Sequence, residues 1–249
     1  LFAYYLQKRF TETPKWFIWI WLLSCPWTMN ISTHIFNPSY VLFGSVLFFI
    51  GFFESLPKLS IRFIKPWLSF FLMGFSLFWV YQLHMSWILL VPFIFTSFWF
   101  AFRKNKIIVI TFFAGCLVSA SALIPTFLHY GMNSGSGGTS GNIVFNISNA
   151  KEIITVFLRY LSFASNEIPR FIDTDGASKI LFFKDYYLAA PFILFVIVLG
   201  FLQVLFLIIG FFRKNTITGF RWVKWITFLA FLMTYFSFFF SVKGPSSHT

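Results

Sequence analysis

The chain has 249 residues, of which 58% are hydrophobic and 10% charged, and its formal net charge is +12. Soluble domains carry about 25% charged residues and about 45–50% apolar ones, so 19 basic and 7 acidic side chains are too few to wet the surface of a globule this size. A soluble enzyme, a disordered chain and a nucleic-acid-binding domain are excluded, which leaves a polytopic α-helical membrane protein whose basic excess has a topological meaning.

In chain order, residues 1–7 (LFAYYLQ) read as the tail of a helix. The apolar runs 15–27 (continuing to about 33), 39–56, 66–83, 85–102, 107–127, 188–212 and 222–242 predict seven helices of membrane-spanning character. The expected fold is therefore all-α: a polytopic transmembrane helical bundle of about seven spans plus a partial N-terminal one. It forms a single transmembrane domain over 1–249 with one large loop at about 128–187. The chain starts at Leu1 inside an apolar run, lacks a basic front followed by a small-residue cleavage site, and ends at Ser246-Ser247-His248-Thr249. It is expected to be an internal piece of a longer protein.

Charge tests this layout independently of hydropathy. Basic residues between the runs fall into four groups: Lys8, Arg9 and Lys15; Lys58, Arg62 and Lys65; Arg103, Lys104 and Lys106; Arg213, Lys214, Arg221 and Lys224. An alternating up-and-down path puts all four on one face, which the positive-inside rule makes cytoplasmic. Five of the seven acids, Glu152, Glu167, Asp173, Asp175 and Asp185, lie between the fifth and sixth runs, and His34, His84, His129 and His248 all fall at predicted outer ends. Titratable acid–base chemistry is thus concentrated outside. The cytoplasmic connections are too short for a nucleotide-binding domain.

The outer loop opens with NSGSGGTSGN (133–142), which lacks the GxxxxGK[ST] pattern of a phosphate-binding loop and reads as a Gly/Ser linker. Asn149, with Glu152 three residues later, predicts a capping-box-like helix start. Ile154, Phe157, Leu158 and Leu161 then form an apolar stripe opposite Lys151, Thr155, Arg159 and Ser162, as in a helix lying in the membrane interface. Pro169 ends it.

Several residues are candidates for chemistry. Asp173 and Asp175, spaced i, i+2, could hold a divalent cation or serve as a general base; the alternative is a solvated Asp-Gly turn. Gln82 and His84, at the tight link between the third and fourth helices, are costly at membrane depth unless they face a cavity or a partner, and an interhelical hydrogen bond is the simpler account. His129 caps the fifth helix or anchors it at the interface, and Asn37 caps the second. Lys243 lies on the outer side, where it could pair with a phosphate or snorkel to ordinary lipid. Glu54 lies four residues before Lys58, and a local ion pair accounts for it. Cys25 and Cys116 have no CxxC partner and read as packing residues, and Asn30 and Asn146 sit in Asn-x-Ser sequons.

Four stretches carry a family resemblance: the Asn37-Pro38-Ser39 helix start, YQLHMSWILL (81–90) with its Gln-x-His, Ala-Leu-Ile-Pro (122–125) before the long outer loop, and the Lys243-Gly-Pro-Ser-Ser-His248 tail. In their order and topology the chain resembles the polytopic glycosyltransferases of the GT-C type, in the branch of protein O-mannosyltransferases and aminoarabinose transferases. The resemblance implies transfer of a sugar from a polyprenyl-phosphate-linked donor to an acceptor on the extracytoplasmic side of a bacterial inner (plasma) membrane. It makes Lys243 a donor-phosphate candidate, places Gln82 and His84 at the cavity, and makes His129 and His248 further substrate-side candidates. The family's first external loop, with its acidic base, has no match here, so the catalytic residue is expected upstream of Leu1 and the segment alone is expected to be inactive. The implied partners are the lipid-linked sugar and membrane lipids, and no cofactor is implied beyond the divalent cation that Asp173 and Asp175 could bind. The rival readings are an O-antigen polymerase or ligase, which usually has several Arg in its external loop where this chain has Arg159 and Arg170, and a transporter, which would show mid-membrane charges and repeated halves.

Overall fold

An interior sequence this apolar gives few signals for where helices stop, so their ends fall at the polar or conformationally restricted residues. The structure is a computed structural model, and it describes residues 1–11, 13–24, 37–56, 63–102, 107–131, 145–154, 157, 176–213 and 218–240. Every regular element among these is helical. The chain divides into two compact units, Leu1–Gly138 and Thr139–Thr249.

The first unit contains α1 (Phe2–Arg9), α2 (Lys15–Ser24), α3 (Asn37–Ser55), α4 (Pro66–Leu83), α5 (Val91–Phe102), α6 (Ile107–Ala120) and α7 (Ile124–Tyr130). Pro66 occupies the first turn of α4, where its missing N–H costs nothing, and Lys65 before it is extended. At the far end His84 is also extended, and a 3-10 segment, Met85–Leu90, leads straight into α5. The predicted 85–102 helix therefore begins as a tighter 3-10 turn. A second 3-10 turn, Ser121–Leu123, joins α6 to α7, which closes at Gly131 with φ +74, a left-handed conformation suited to glycine.

Contacts fix how these helices run. Trp79 Nε1 donates to the Tyr40 carbonyl (3.0 Å), and a Cβ on Gly51 would meet the Ser69 carbonyl, so α3 and α4 are antiparallel. Phe52 packs edge-on to Phe93, and the Ser55 and Ser97 hydroxyls are 2.7 Å apart, so α3 and α5 run the same way. Thr111 Oγ1 donates to the Trp67 carbonyl (2.9 Å) near the start of α4, and Gln82 Nε2 donates to the Ser119 carbonyl (3.0 Å) near its end, so α4 and α6 are parallel. The path through α3–α6 thus alternates, as predicted.

The α4–α6 seam is built on small residues. A Cβ on Gly74 would lie 1.8 Å from the Phe112 carbonyl oxygen, and one on Gly115 would lie 2.1 Å from that of Phe71. Thr111, Gly115 and Ser119, four residues apart, put the small face of α6 against α4, the pattern that brings helix backbones together where burial of apolar surface supplies no drive.

The second unit contains α8 (Gly176–Asp185), α9 (Ala190–Phe212) and α10 (Thr218–Ser237). Lys224 on α10 donates from Nζ to the carbonyls of Phe211 and Arg213 (both 2.6 Å), satisfying acceptors left open at the end of α9. The expected helix start at Asn149 is corrected. A 3-10 segment begins three residues earlier, at Ile147–Glu152, because Asn146 Oδ1 accepts from the Ser148 N–H (3.1 Å) and hydroxyl (2.6 Å). Asn149 instead is buried and donates from Nδ2 to the Phe238 carbonyl (2.7 Å). Of the proposed apolar stripe, Phe157 packs edge-on to Phe231, while Leu158 and Leu161 lie outside the described residues.

Pro66–Leu83 and Ile108–Tyr130 are long and apolar enough to cross a membrane, and only 33% and 22% of these windows is buried inside the structure. Ile110, Phe113, Leu117 and Leu128 face outward. In the second unit α9 has 23 residues and no charge, and Phe192, Phe195, Phe201, Phe206 and Phe212 along it are exposed.

Two substitutions test the seam. Gly74→Ala and Gly115→Ala should each destabilise by about 1–3 kcal/mol or more, because the added methyl meets backbone. Gly210, with nothing within 4 Å of a built Cβ, should gain about 0.5–1 kcal/mol on becoming Ala. Thermal unfolding in detergent compares the three.

Candidate functional site

Two polar centres occupy opposite ends of the α3–α6 helices. The first lies where α4 and α6 end. Gln82 projects from the last turn of α4, and its amide reaches the Ser119 carbonyl (3.0 Å) and hydroxyl (3.4 Å) on α6. His84 is exposed, and its Nδ1 accepts from the Ser86 N–H (3.1 Å), capping the 3-10 turn. With Nδ1 accepting, Nε2 is the nitrogen left to carry the proton. The Ser86 hydroxyl is buried and has no partner among the described residues. Gln82 and His84 are thus neighbours, each engaged in local structure, and the Gln82 contact is the interhelical hydrogen bond that its position calls for. His129 lies in the last turn of α7, exposed and edge-on to Tyr130 (4.5 Å). Asp173, Asp175, Lys243 and His248 lie outside the described residues. No group of three or more His, Cys, Asp or Glu among the described residues could hold a metal ion.

The second centre, at the other end, surrounds Glu54, the one acidic residue between Glu12 and Glu152. It is fully buried in the last turn of α3. Its Oε1 accepts from the Tyr5 hydroxyl (2.9 Å) and forms an ion pair with Arg9. Its Oε2 accepts from the N–H groups of Phe63 (2.8 Å) and Ile64 (3.4 Å). Arg9 Nε also donates to the Tyr5 hydroxyl (3.2 Å), as positions i and i+4 of α1 allow, and its guanidinium lies over the Phe63 ring (4.9 Å). The Tyr5 hydroxyl thus accepts from Arg9 and donates to Glu54. The described partner of Glu54 is therefore Arg9, and the expected partner Lys58 lies outside the described residues. The signal in sequence was a lone carboxylate in an apolar run. Its partner, 45 residues away, left none.

A third feature is an apolar groove of about 470 Å³ in the second unit, lined by Phe183, Tyr187, Ala190, Pro191, Ile193 and Leu194. None of the residues singled out in the sequence lines it.

Comparison of the chain with protein-family models, with curated proteins and with solved structures gives no match.

The two polar centres should differ in cost. Glu54→Ala removes one partner of a buried ion pair and should destabilise by about 3–5 kcal/mol. Gln82→Ala, which removes a helix-to-helix hydrogen bond, should cost about 0.6 kcal/mol and no more than about 1.7. Denaturant titration of each variant in detergent checks the order.

Proposed function

We propose that the chain is a polytopic membrane segment of a glycosyltransferase, using a sugar carried on a polyprenyl phosphate and acting on the extracytoplasmic side. The observation that carries this reading is the alternating register of α3–α6. With α4 and α6 parallel and their N-terminal ends joined by the Thr111–Trp67 bond, the connections bearing Lys58, Arg62 and Lys65 and Arg103, Lys104 and Lys106 meet the same end of the helices. The Arg9–Glu54 pair ties α1 to that end. Gln82 and His84 belong to the other end, away from the described Arg9 and Lys65.

In this reading the basic end is cytoplasmic and the Gln82–His84 end faces the lipid-linked donor. The outward-facing apolar side chains of α6, α7 and α9 support a bilayer as their solvent, since a water-soluble monomer rarely exposes contiguous apolar surface on this scale. His84, through Nε2, and Gln82, through its amide oxygen, can bind hydroxyl or phosphate groups without acting as the base.

The test is turnover of a polyprenyl-phosphate sugar by the full-length protein in vesicles. We expect glycosyl transfer that falls by roughly tenfold in His84→Ala, the loss of about 1.4 kcal/mol of transition-state binding. Solute flux without glycosyl transfer would overturn the reading in favour of a transporter. Labelling of single cysteines placed at Lys65 and His84 should mark opposite sides of the membrane.

A further inference from the structure

The Glu54 centre changes what the basic end of the first unit presents to its surroundings. The unit holds nine Lys and Arg, with Glu12 and Glu54 as its only acids. Glu54 is fully buried and its carboxylate is used by Arg9, Tyr5 and two backbone N–H groups. Its charge is spent inside the fold. Lys8, Lys15 and Lys65 are exposed, and no carboxylate among the described residues pairs with them. The three share one end: Lys8 adjoins Arg9, which is tied to the last turn of α3; Lys65 precedes the first residue of α4; and Lys15 opens α2, which packs on α1.

Aromatic rings lie against Lys8. The Lys8 ammonium lies 4.8 Å from the centre of the Tyr4 ring and 5.9 Å from that of Phe63. Tyr4, Phe63 and Trp67 are themselves exposed. Amphipathic rings beside lysines favour the headgroup layer of a bilayer, where a ring sits at the apolar boundary and the ammonium reaches the phosphates.

We propose that Lys8, Lys15 and Lys65, framed by Tyr4, Phe63 and Trp67, form a binding surface for the phosphate headgroups of anionic phospholipids. The inference rests on the membrane-embedded part of the function proposed above and is independent of sugar transfer. The Arg9–Glu54 pair supports the surface by removing the one carboxylate of α3 that would repel lipid phosphate. Each lysine near an anionic surface contributes a factor of about five to binding, and the attraction weakens with salt.

The experiment reconstitutes the full chain in vesicles of equal phosphatidylglycerol and phosphatidylcholine, extracts it in mild detergent and measures the ratio of the two lipids retained. We expect enrichment in phosphatidylglycerol at low salt. It should be lost in the triple variant Lys8→Gln, Lys15→Gln, Lys65→Gln, restored when the same positions carry Arg, and unchanged in Lys151→Gln, Lys184→Gln of the second unit. Helical circular dichroism confirms that each variant is folded. Equal retention of the two lipids by the unsubstituted protein would overturn the inference, as would an enrichment that survives in the triple Gln variant. Displacement of the lipid by inorganic phosphate at constant ionic strength would also overturn it, since the surface would then be a site for the free anion. Loss of sugar transfer with lipid enrichment intact would count against the transferase reading alone.

Discussion

The first unit depends on the close approach of α4 and α6. At Gly74 and Gly115 each helix presses against a carbonyl of the other, at distances no side chain would allow. That approach sets the register of the pair, and the register brings Thr111 to the Trp67 carbonyl at one end and Gln82 to the Ser119 carbonyl at the other. Cys116 adds a weak bond from its thiol to the Gly74 carbonyl (3.3 Å) between them. In an apolar solvent such contacts must hold helices together by packing and hydrogen bonding, because burying more apolar surface gains little there. α3 and α5 then follow, through Gly51 against Ser69 and Phe93 against Phe49 and Phe52.

Glu54 poses the opposite problem. A carboxylate removed from water is unfavourable by several kcal/mol unless it is paired and its remaining lone pairs are used. Here one cation, one hydroxyl and two backbone N–H groups do this, drawn from α1 and from the stretch just before α4. The charge fastens three separate parts of the chain at one end of the unit. The other end relies on an amide, hydroxyls and an imidazole.

Helices were legible in the sequence because long apolar runs broken by basic clusters leave little else, and α4 falls on the run 66–83 to the residue. An alternating path was consistent with the grouping of the basic residues, and α3–α6 follow one. The details that depend on single side chains were not. Asn149 read as the helix cap, but its amide is drawn to the carbonyl of Phe238, 89 residues away, and Asn146 caps the turn instead. The Glu54 centre was half visible, as a lone acid near cations, but its partner came from a helix distant in sequence. The spacing of Thr111, Gly115 and Ser119 did announce the α6 seam, through a pattern of small residues that a search for reactive groups passes over. For the candidate site, Gln82 and His84 were rightly placed together at one helix end, while the hydroxyls of Ser86 and Ser119 beside them had no motif to mark them.

Lys224 has a consequence for the order in which the chain is made. The carbonyls it satisfies, those of Phe211 and Arg213, belong to a helix synthesised before it. Until residue 224 has been made, the end of α9 has acceptors waiting for a donor. The end of α9 is therefore closed by a side chain that lies 11 and 13 residues further along the chain.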